Sequence, residues 1–215
     1  PITGWVDGDD LLPDGEGEVE TPTVEWGGVK YEIVTLKDGR TWMAENLRYV
    51  PAGKTISSDP KDGSGVWYPC NLSKAADPSL VESNGLLYSY PVMLGMTGDM
   101  TGDNFDQYEG ARGICPEGWH IPTMAEWLKL AGVTAAPAYM ATASAADASA
   151  FGMGYFPSST GYKVTYNTAD DPASGIKNIQ YYAGMITYNK SFNRITVAYQ
   201  GGYCAAPVRC IKDRE

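Results

Sequence analysis

Polar and apolar residues alternate from Lys30 to Leu36, with Tyr31, Ile33 and Thr35 opposite Lys30, Glu32 and Val34. A period of two predicts a strand. Asp38-Gly39 then reads as a hairpin turn, and Ala44–Leu47 as the start of a short helix. Residues 51–85 hold no sustained period and are rich in Gly, Ser, Pro and Asp, so mostly loop is expected. Leu86–Met96 has helical character, with Pro91 limiting its start. Thr123–Leu130 predicts a second helix. Thr123 and Glu126 stand three apart ahead of Trp127, Leu128 and Leu130, which is the spacing of a capping box. The Ala-rich stretch 133–150 is broken by Pro137 and carries at most a short, weak helix. From Phe151 onward the chain turns to short aromatic and β-branched runs. Strands are expected at Gly152–Phe156, Tyr162–Tyr166, Tyr181–Thr187, Arg194–Ala198 and Ala206–Lys212. Two short helices followed by antiparallel strands make a loop-rich α+β domain.

The densest segment is Gly113–Trp127. It packs Cys115, Trp119, the lone His120, Pro122 and the capping box into fifteen residues. So many large, specific side chains mark a fold anchor. Trp42, Trp119, His120 and Trp127 are the expected anchor residues, with Leu128 buried beside them.

Charge is uneven along the chain. The net charge is −10, yet eight of the 26 acids and none of the 16 bases lie in residues 1–25. Residues 26–215 are left nearly neutral. Residues 1–25 therefore read as an acidic linker or the end of a preceding domain, with residues 6–24 stretched out by mutual repulsion. Residues 26–215 form the domain proper. No cluster of Lys and Arg is present to displace the counterions of a phosphate backbone, which argues against nucleic acid. No apolar run reaches membrane-spanning length. Four cysteines, an even number, suit disulfides in an oxidising compartment, and three pairings are open. Four free buried thiols would read the same.

Four ordered blocks carry a family resemblance. Gly113-Ile-Cys-Pro-Glu-Gly-Trp-His-Ile-Pro-Thr-Met-Ala-Glu-Trp127 resembles the core of the Fibrobacter succinogenes major paralogous domain. Val29–Leu36 followed by Gly39-Arg-Thr-Trp-Met-Ala-Glu-Asn-Leu47 is similar to that family's opening hairpin and its Trp-Met-Ala-Glu-Asn-Leu signature. Asn84–Tyr90 and Val208-Arg-Cys-Ile-Lys-Asp213 match two more blocks. The resemblance implies a C-type-lectin-like fold in which the first and last strands pair, here 29–36 with 206–212. It implies a disulfide between Cys115 and Cys210, which leaves Cys70 with Cys204. It also implies an exported surface protein or lipoprotein of Bacteroidetes and their relatives. Pro1-Ile-Thr-Gly-Trp-Val-Asp-Gly8 is similar to the last strand of fimbrillin-like pilin domains, although a tail with one Trp reads the same.

Candidate chemistry is sparse. His120 is the only side chain that ordinarily titrates near neutrality. No nucleophile partner can be named for it, so packing is the expected role. Asp99, Asp103, Asp106 and Glu109 share one short loop, as calcium ligands do. Their spacing is not that of an EF-hand, and a solvated acidic loop has the same composition. Calcium would be shared if loops 97–112 and 167–180, the latter with Asp170 and Asp171, came together. Otherwise no cofactor is expected. The calcium-dependent sugar motifs of true C-type lectins are missing. The 15 tyrosines are the remaining binding signal. Most are expected to fill strands, but Tyr181 and Tyr182 are adjacent and must face opposite sides. The expected function is a non-catalytic cell-surface binding or adhesion module. It would bind a glycan, a surface protein or other pilus subunits, as at a pilus tip or on a lipoprotein. The alternative is a lectin-fold enzyme related to formylglycine-generating enzymes, with Cys204 and Cys210 as redox partners.

Overall fold

A computed structural model describes residues 21–59, 61–71, 73–96, 106–132, 142–144, 154–167, 177–189, 194–201 and 205–214. For residues 106, 142–144, 154–155, 161–167, 177–189 and 194–201 it describes the backbone.

Strands β1 (Thr23–Trp26), β2 (Val29–Thr35) and β3 (Thr41–Met43) form two consecutive hairpins. Gly27 and Gly28 make the first turn at positive φ, which glycine adopts without a Cβ penalty. The Asp38-Gly39 turn makes the second, with Gly39 N donating to Leu36 O at 2.9 Å. Late in the chain, β12 (Ile211–Lys212) returns between β3 and β6 (Trp119–His120). The five-stranded sheet runs β1-β2-β3-β12-β6. The last strand therefore pairs with the strand of Trp42 (Ile211 opposite Trp42), one place away from the expected 29–36 partner. Strand β1 carries the sheet back to Thr23. Trp26 at the end of β1 donates its Nε1 to Ile114 O at 2.9 Å and packs on Tyr49.

A three-stranded sheet joins β4 (Val66–Trp67), β5 (Leu87–Ser89) and β11 (Ala205–Pro207) in the order β11-β5-β4. Helices α1 (Val81–Asn84) and α2 (Tyr90–Leu94) flank β5. Leu86–Met96 is thus a strand followed by a helix, where one helix was expected. Tyr88 is paired on both sides, to Val66 and to Ala206, so the sheet claims its backbone. Pro91 sits in the first turn of α2, where its missing N–H costs nothing. Ala44–Leu47 is not helical. Ala44 N donates to Glu32 O and Leu47 N to Val208 O, which ties the segment to β2 and to the C-terminal part of the chain.

Helix α3 (Met124–Leu130) has the predicted capping box, with Thr123 as N-cap and Glu126 reaching back. Three helices, where two were expected, appear among the described residues. The remaining sheet, β7-β10-β9-β8, holds two long strands, β8 (Gly154–Asn167) and β9 (Lys177–Asn189), with β10 (Arg194–Gly201) and β7 (Thr142–Ser144). The two runs expected at 152–156 and 162–166 are one strand, with a register shift between Pro157 and Gly161. Thr142–Ser144 lies in the stretch expected as weak helix; pairing with β10 makes it a strand. Ala206–Lys212, expected as one strand, is split between β11 and β12.

The core gathers Tyr31, Trp42, Met43, Leu47, Tyr88, Ile121, Trp127 and Ile211, all at most 1% exposed. Trp127 packs on Trp42 at 4.8 Å and Phe156 at 5.3 Å between ring centroids. Its indole N–H donates to Pro157 O at 3.0 Å, satisfying the polar atom that burial would otherwise strand. Gly113 has φ +53, and a Cβ there would meet Met93 O at 2.1 Å. Only glycine fits where the anchor crosses α2. The architecture is α+β, with antiparallel sheets and few short helices.

Candidate functional site

The anchor residues meet at one end of the five-stranded sheet. Trp42, Trp119, Trp127 and Leu128 are buried, at 1%, 4%, 1% and 5% exposure. Cys115 and Cys210 are bonded across 95 residues and are fully buried. His120 lies in β6 with its ring between two carboxylates. Nδ1 bonds Asp213 Oδ1, and Nε2 meets Glu126 Oε2 at 3.0 Å. Glu126 also takes Arg40 Nη1 at 2.9 Å and Thr123 N at 2.9 Å. Arg40 Nη2 closes the circuit on Lys212 O at 2.6 Å. This clasp joins the β2–β3 turn, β6, α3 and the C-terminal segment.

The electrostatics follow from the geometry. Burial alone would lower the His120 pKa, but the bonds and charges of Glu126 and Asp213 outweigh it and raise it. Burial would raise Glu126, yet His120 and Thr123 pull its carboxyl down to about 2. An imidazolium donating both N–H groups has no lone pair with which to act as a general base. Asp213 and Arg40 are the residues that sequence reading missed here. Both lie in quoted family blocks, but nothing local ties them to His120.

A groove of about 510 Å³ opens beside β4, lined in part by Ser57, Ser58, Trp67, Tyr68, Cys70 and Lys74. Short-range bonds build its walls. Ser57 N donates to Val66 O and Tyr68 N to Ser57 O. Trp67 Nε1 donates to Asp59 O at 2.9 Å and Asp62 Oδ1 at 3.0 Å, fixing the ring. Asn71 Oδ1 accepts from Ser73 N and Ala75 N, holding residues 73–75 in a tight turn against Asn71. Lys74 sits in that turn at φ +62, the one non-glycine residue with positive φ among those described. Such a conformation costs of order 1 kcal/mol for a residue with a Cβ. It holds the Lys74 side chain at the groove.

Cys70 is exposed and has no disulfide partner among the described residues. Cys204, its expected partner, lies outside the described residues, although the adjacent Ala205 lines the same groove as Cys70. Asp99, Asp103, Asp170 and Asp171 lie outside the described residues. Asp106 belongs to a 3-10 turn, Asp106–Tyr108. Glu109 accepts from Thr160 Oγ1 at 2.7 Å, midway along β8. Its expected pooling with Asp170 and Asp171 falls outside the described residues. No group of three or more His, Cys, Asp or Glu among the described residues could hold a metal. Tyr181 and Tyr182 lie in β9, opposite Lys163 and Tyr162 of β8. Their side chains lie outside the description.

The family described as the Fibrobacter succinogenes major domain matches residues 38–212. The chain belongs to that family. The match runs from the turn before Trp42 to the end of β12, so it takes in the groove and the clasp apart from Asp213. No curated protein and no solved structure matches the chain. Among the described residues of this family member, no helix is long and apolar enough to cross a membrane.

Proposed function

We propose that this domain is an exported, non-catalytic binding module of C-type-lectin-like fold, displayed on a cell surface. Its ligand is a glycan or a surface protein seated in the groove over Trp67 and Tyr68. The observation that carries this reading is the groove itself. Aromatic, hydroxyl and basic residues (Trp67, Tyr68, Ser58 and Lys74) line its volume of about 510 Å³ together. Binding sites join apolar lining to a few placed polar groups in this way. A sugar ring offers the matching chemistry, with a C–H face for an aromatic and hydroxyls for Ser58 and Lys74.

Three further features support the reading. The bonded Cys115 and Cys210 suit an oxidising compartment outside the cytosol. The same bond buries Cys210 and removes it from thiol chemistry, which weakens the formylglycine-type alternative. The return of β12 into the middle of the N-terminal sheet, tied by that disulfide to the anchor, has the looped character of the lectin-like fold. The test is an array of glycans and surface proteins probed with the full chain. Lys74→Ala and Tyr68→Ala should each abolish most of the signal without unfolding the domain. Undiminished binding by both variants would move the site elsewhere.

A further inference from the structure

The second concavity lies at the clasp end of the five-stranded sheet, with a volume of about 490 Å³. Arg40, Lys129, Lys212 and Arg214 line it, against Asp38 and Asp213. Both acids are engaged. Asp38 accepts from Trp42 Nε1 and Arg40 N, and Asp213 bonds His120. Arg40 is committed to Glu126 and Lys212 O. Lys129, Lys212 and Arg214 are exposed and form no ion pair among the described residues. Asp38 bonds only neutral N–H groups and keeps its charge, so three cations against one carboxylate leave the notch with a net positive charge.

The sequence holds the complementary charge. Seven acids and no base lie from Asp7 to Glu20. The register of the sheet brings the two together. The β1–β2 turn at Gly27-Gly28 marks one end of the sheet, and the β2–β3 turn at residues 36–40 marks the other. Ile33 N donates to Pro22 O, so the chain joins β1 on the way to that second end. The notch is built there, from Asp38–Thr41, Lys212–Arg214 and Lys129 of α3. Two strand spacings, about 10 Å, separate β1 from β3. Fourteen residues can span up to about 46 Å, so reach is ample.

We propose that the acidic segment Asp7–Glu20 docks on this notch within the same chain. The carboxylates meet Lys129, Lys212 and Arg214 at the solvent boundary, where each pair contributes little. Covalent attachment compensates, because a short tether gives an effective concentration of order millimolar. The contact is electrostatic and exposed, so salt screens it. Its consequence is to set the direction in which the chain leaves the domain.

Glutamyl endopeptidase reads the contact directly, since it cuts after Glu16, Glu18 and Glu20. The full chain is digested in about 20 mM and about 500 mM NaCl, on either side of the range where screening becomes strong. Cleavage of the segment in low salt should be about five- to tenfold slower than in K129A/K212A/R214A, as a few exposed pairs predict. At high salt the two rates should converge. K129R/K212R/R214K, which keeps the charge, should stay protected. A second variant leaves the folded part untouched: D7N/D9N/D10N/D14N should lose protection as well. Equal low-salt rates for wild type and both neutralised variants would overturn the proposal. So would protection that disappears on dilution, which would mean a segment from a second copy.

Discussion

The clasp around His120 and the groove beside β4 are built on opposite plans. In the clasp, Arg40, His120, Glu126 and Asp213 come from four separate parts of the chain, 86 to 93 residues apart at the longest steps. Arg40, His120 and Glu126 keep only 11%, 12% and 19% of their side-chain surface exposed. In the groove, the fixing bonds run between residues two to eleven apart, such as Ser73 to Asn71, Trp67 to Asp59 and Tyr68 to Ser57. The side chains of Ser58, Tyr68 and Lys74 make no hydrogen bond among the described residues, whereas the Ser57 hydroxyl is bonded to the Asp59 backbone. Long-range pairing uses up polar groups to close a scaffold. Local turns hold polar groups in place while leaving them free to bind, which is why surface loops carry function so often. The difference predicts that damage to the clasp end lowers stability, whereas changes in the groove alter binding and leave stability nearly intact.

The strongest way to break the comparison is to cut the covalent tie behind the clasp. Cys115→Ser with Cys210→Ser opens a 95-residue loop. The chain-entropy account puts the loss at about 4–5 kcal/mol. Chemical denaturation of oxidised protein and the double variant measures it. A loss below about 1 kcal/mol would mean that the clasp holds the ends without the bond.

Trp127→Ala is next in size. The ring is 1% exposed, packs between Trp42 and Phe156, and donates to Pro157 O. Removal should cost about 3–5 kcal/mol, as for other large core aromatics. Binding to any ligand found on the array should survive at temperatures where the variant stays folded, because Trp127 lies outside the groove lining.

The clasp should also give stability a pH profile. The folded-state pKa of His120 is raised, so its contribution is complete below the unfolded value near 6.5 and is lost as pH rises through the folded value. Glu126 is depressed to about 2, so its contribution is complete above its unfolded value near 4.5 and is lost as pH falls toward 2. Both are in place between those two unfolded values, and the melting temperature should peak there. His120→Gln should flatten the alkaline limb and cost about 1–2 kcal/mol at pH 5.5. Asp213 is half-exposed, which limits that cost. An unchanged alkaline limb in the variant would assign it to another group.

What the sequence disclosed follows the same division between local and long-range order. The Thr123–Glu126 capping box was legible because its partners are three residues apart. The β2–β3 hairpin was legible because Asp38-Gly39 sits beside its own strands. Leu87–Ser89 was hidden, since only β4 and β11, far along the chain, make it a strand. Thr142–Ser144 was hidden for the same reason by β10. His120 read as an anchor by its neighbours Trp119 and Trp127, but its charge partners Arg40 and Asp213 were invisible to local pattern. The groove left a weaker trace. Residues 51–85 read only as Gly-, Ser-, Pro- and Asp-rich loop, because turns built from Asx and backbone bonds have no period.

The smallest effect is the one most specific to the groove. Lys74 holds φ +62 with a Cβ, while Asn71 folds the turn around it. Glycine adopts that conformation freely, though it adds entropy to the unfolded chain. The two terms nearly offset, so Lys74→Gly should shift stability by less than about 1 kcal/mol, with the sign favouring the variant if strain dominates. If Lys74 is retained at a strained position for its ammonium group, the same variant should lose ligand on the array. Lys74→Asn separates the two effects, since asparagine tolerates the left-handed region but carries no charge. Binding lost in both variants at unchanged stability would assign Lys74 to the ligand. Binding kept in both would leave it as a turn residue whose strain serves only the local fold.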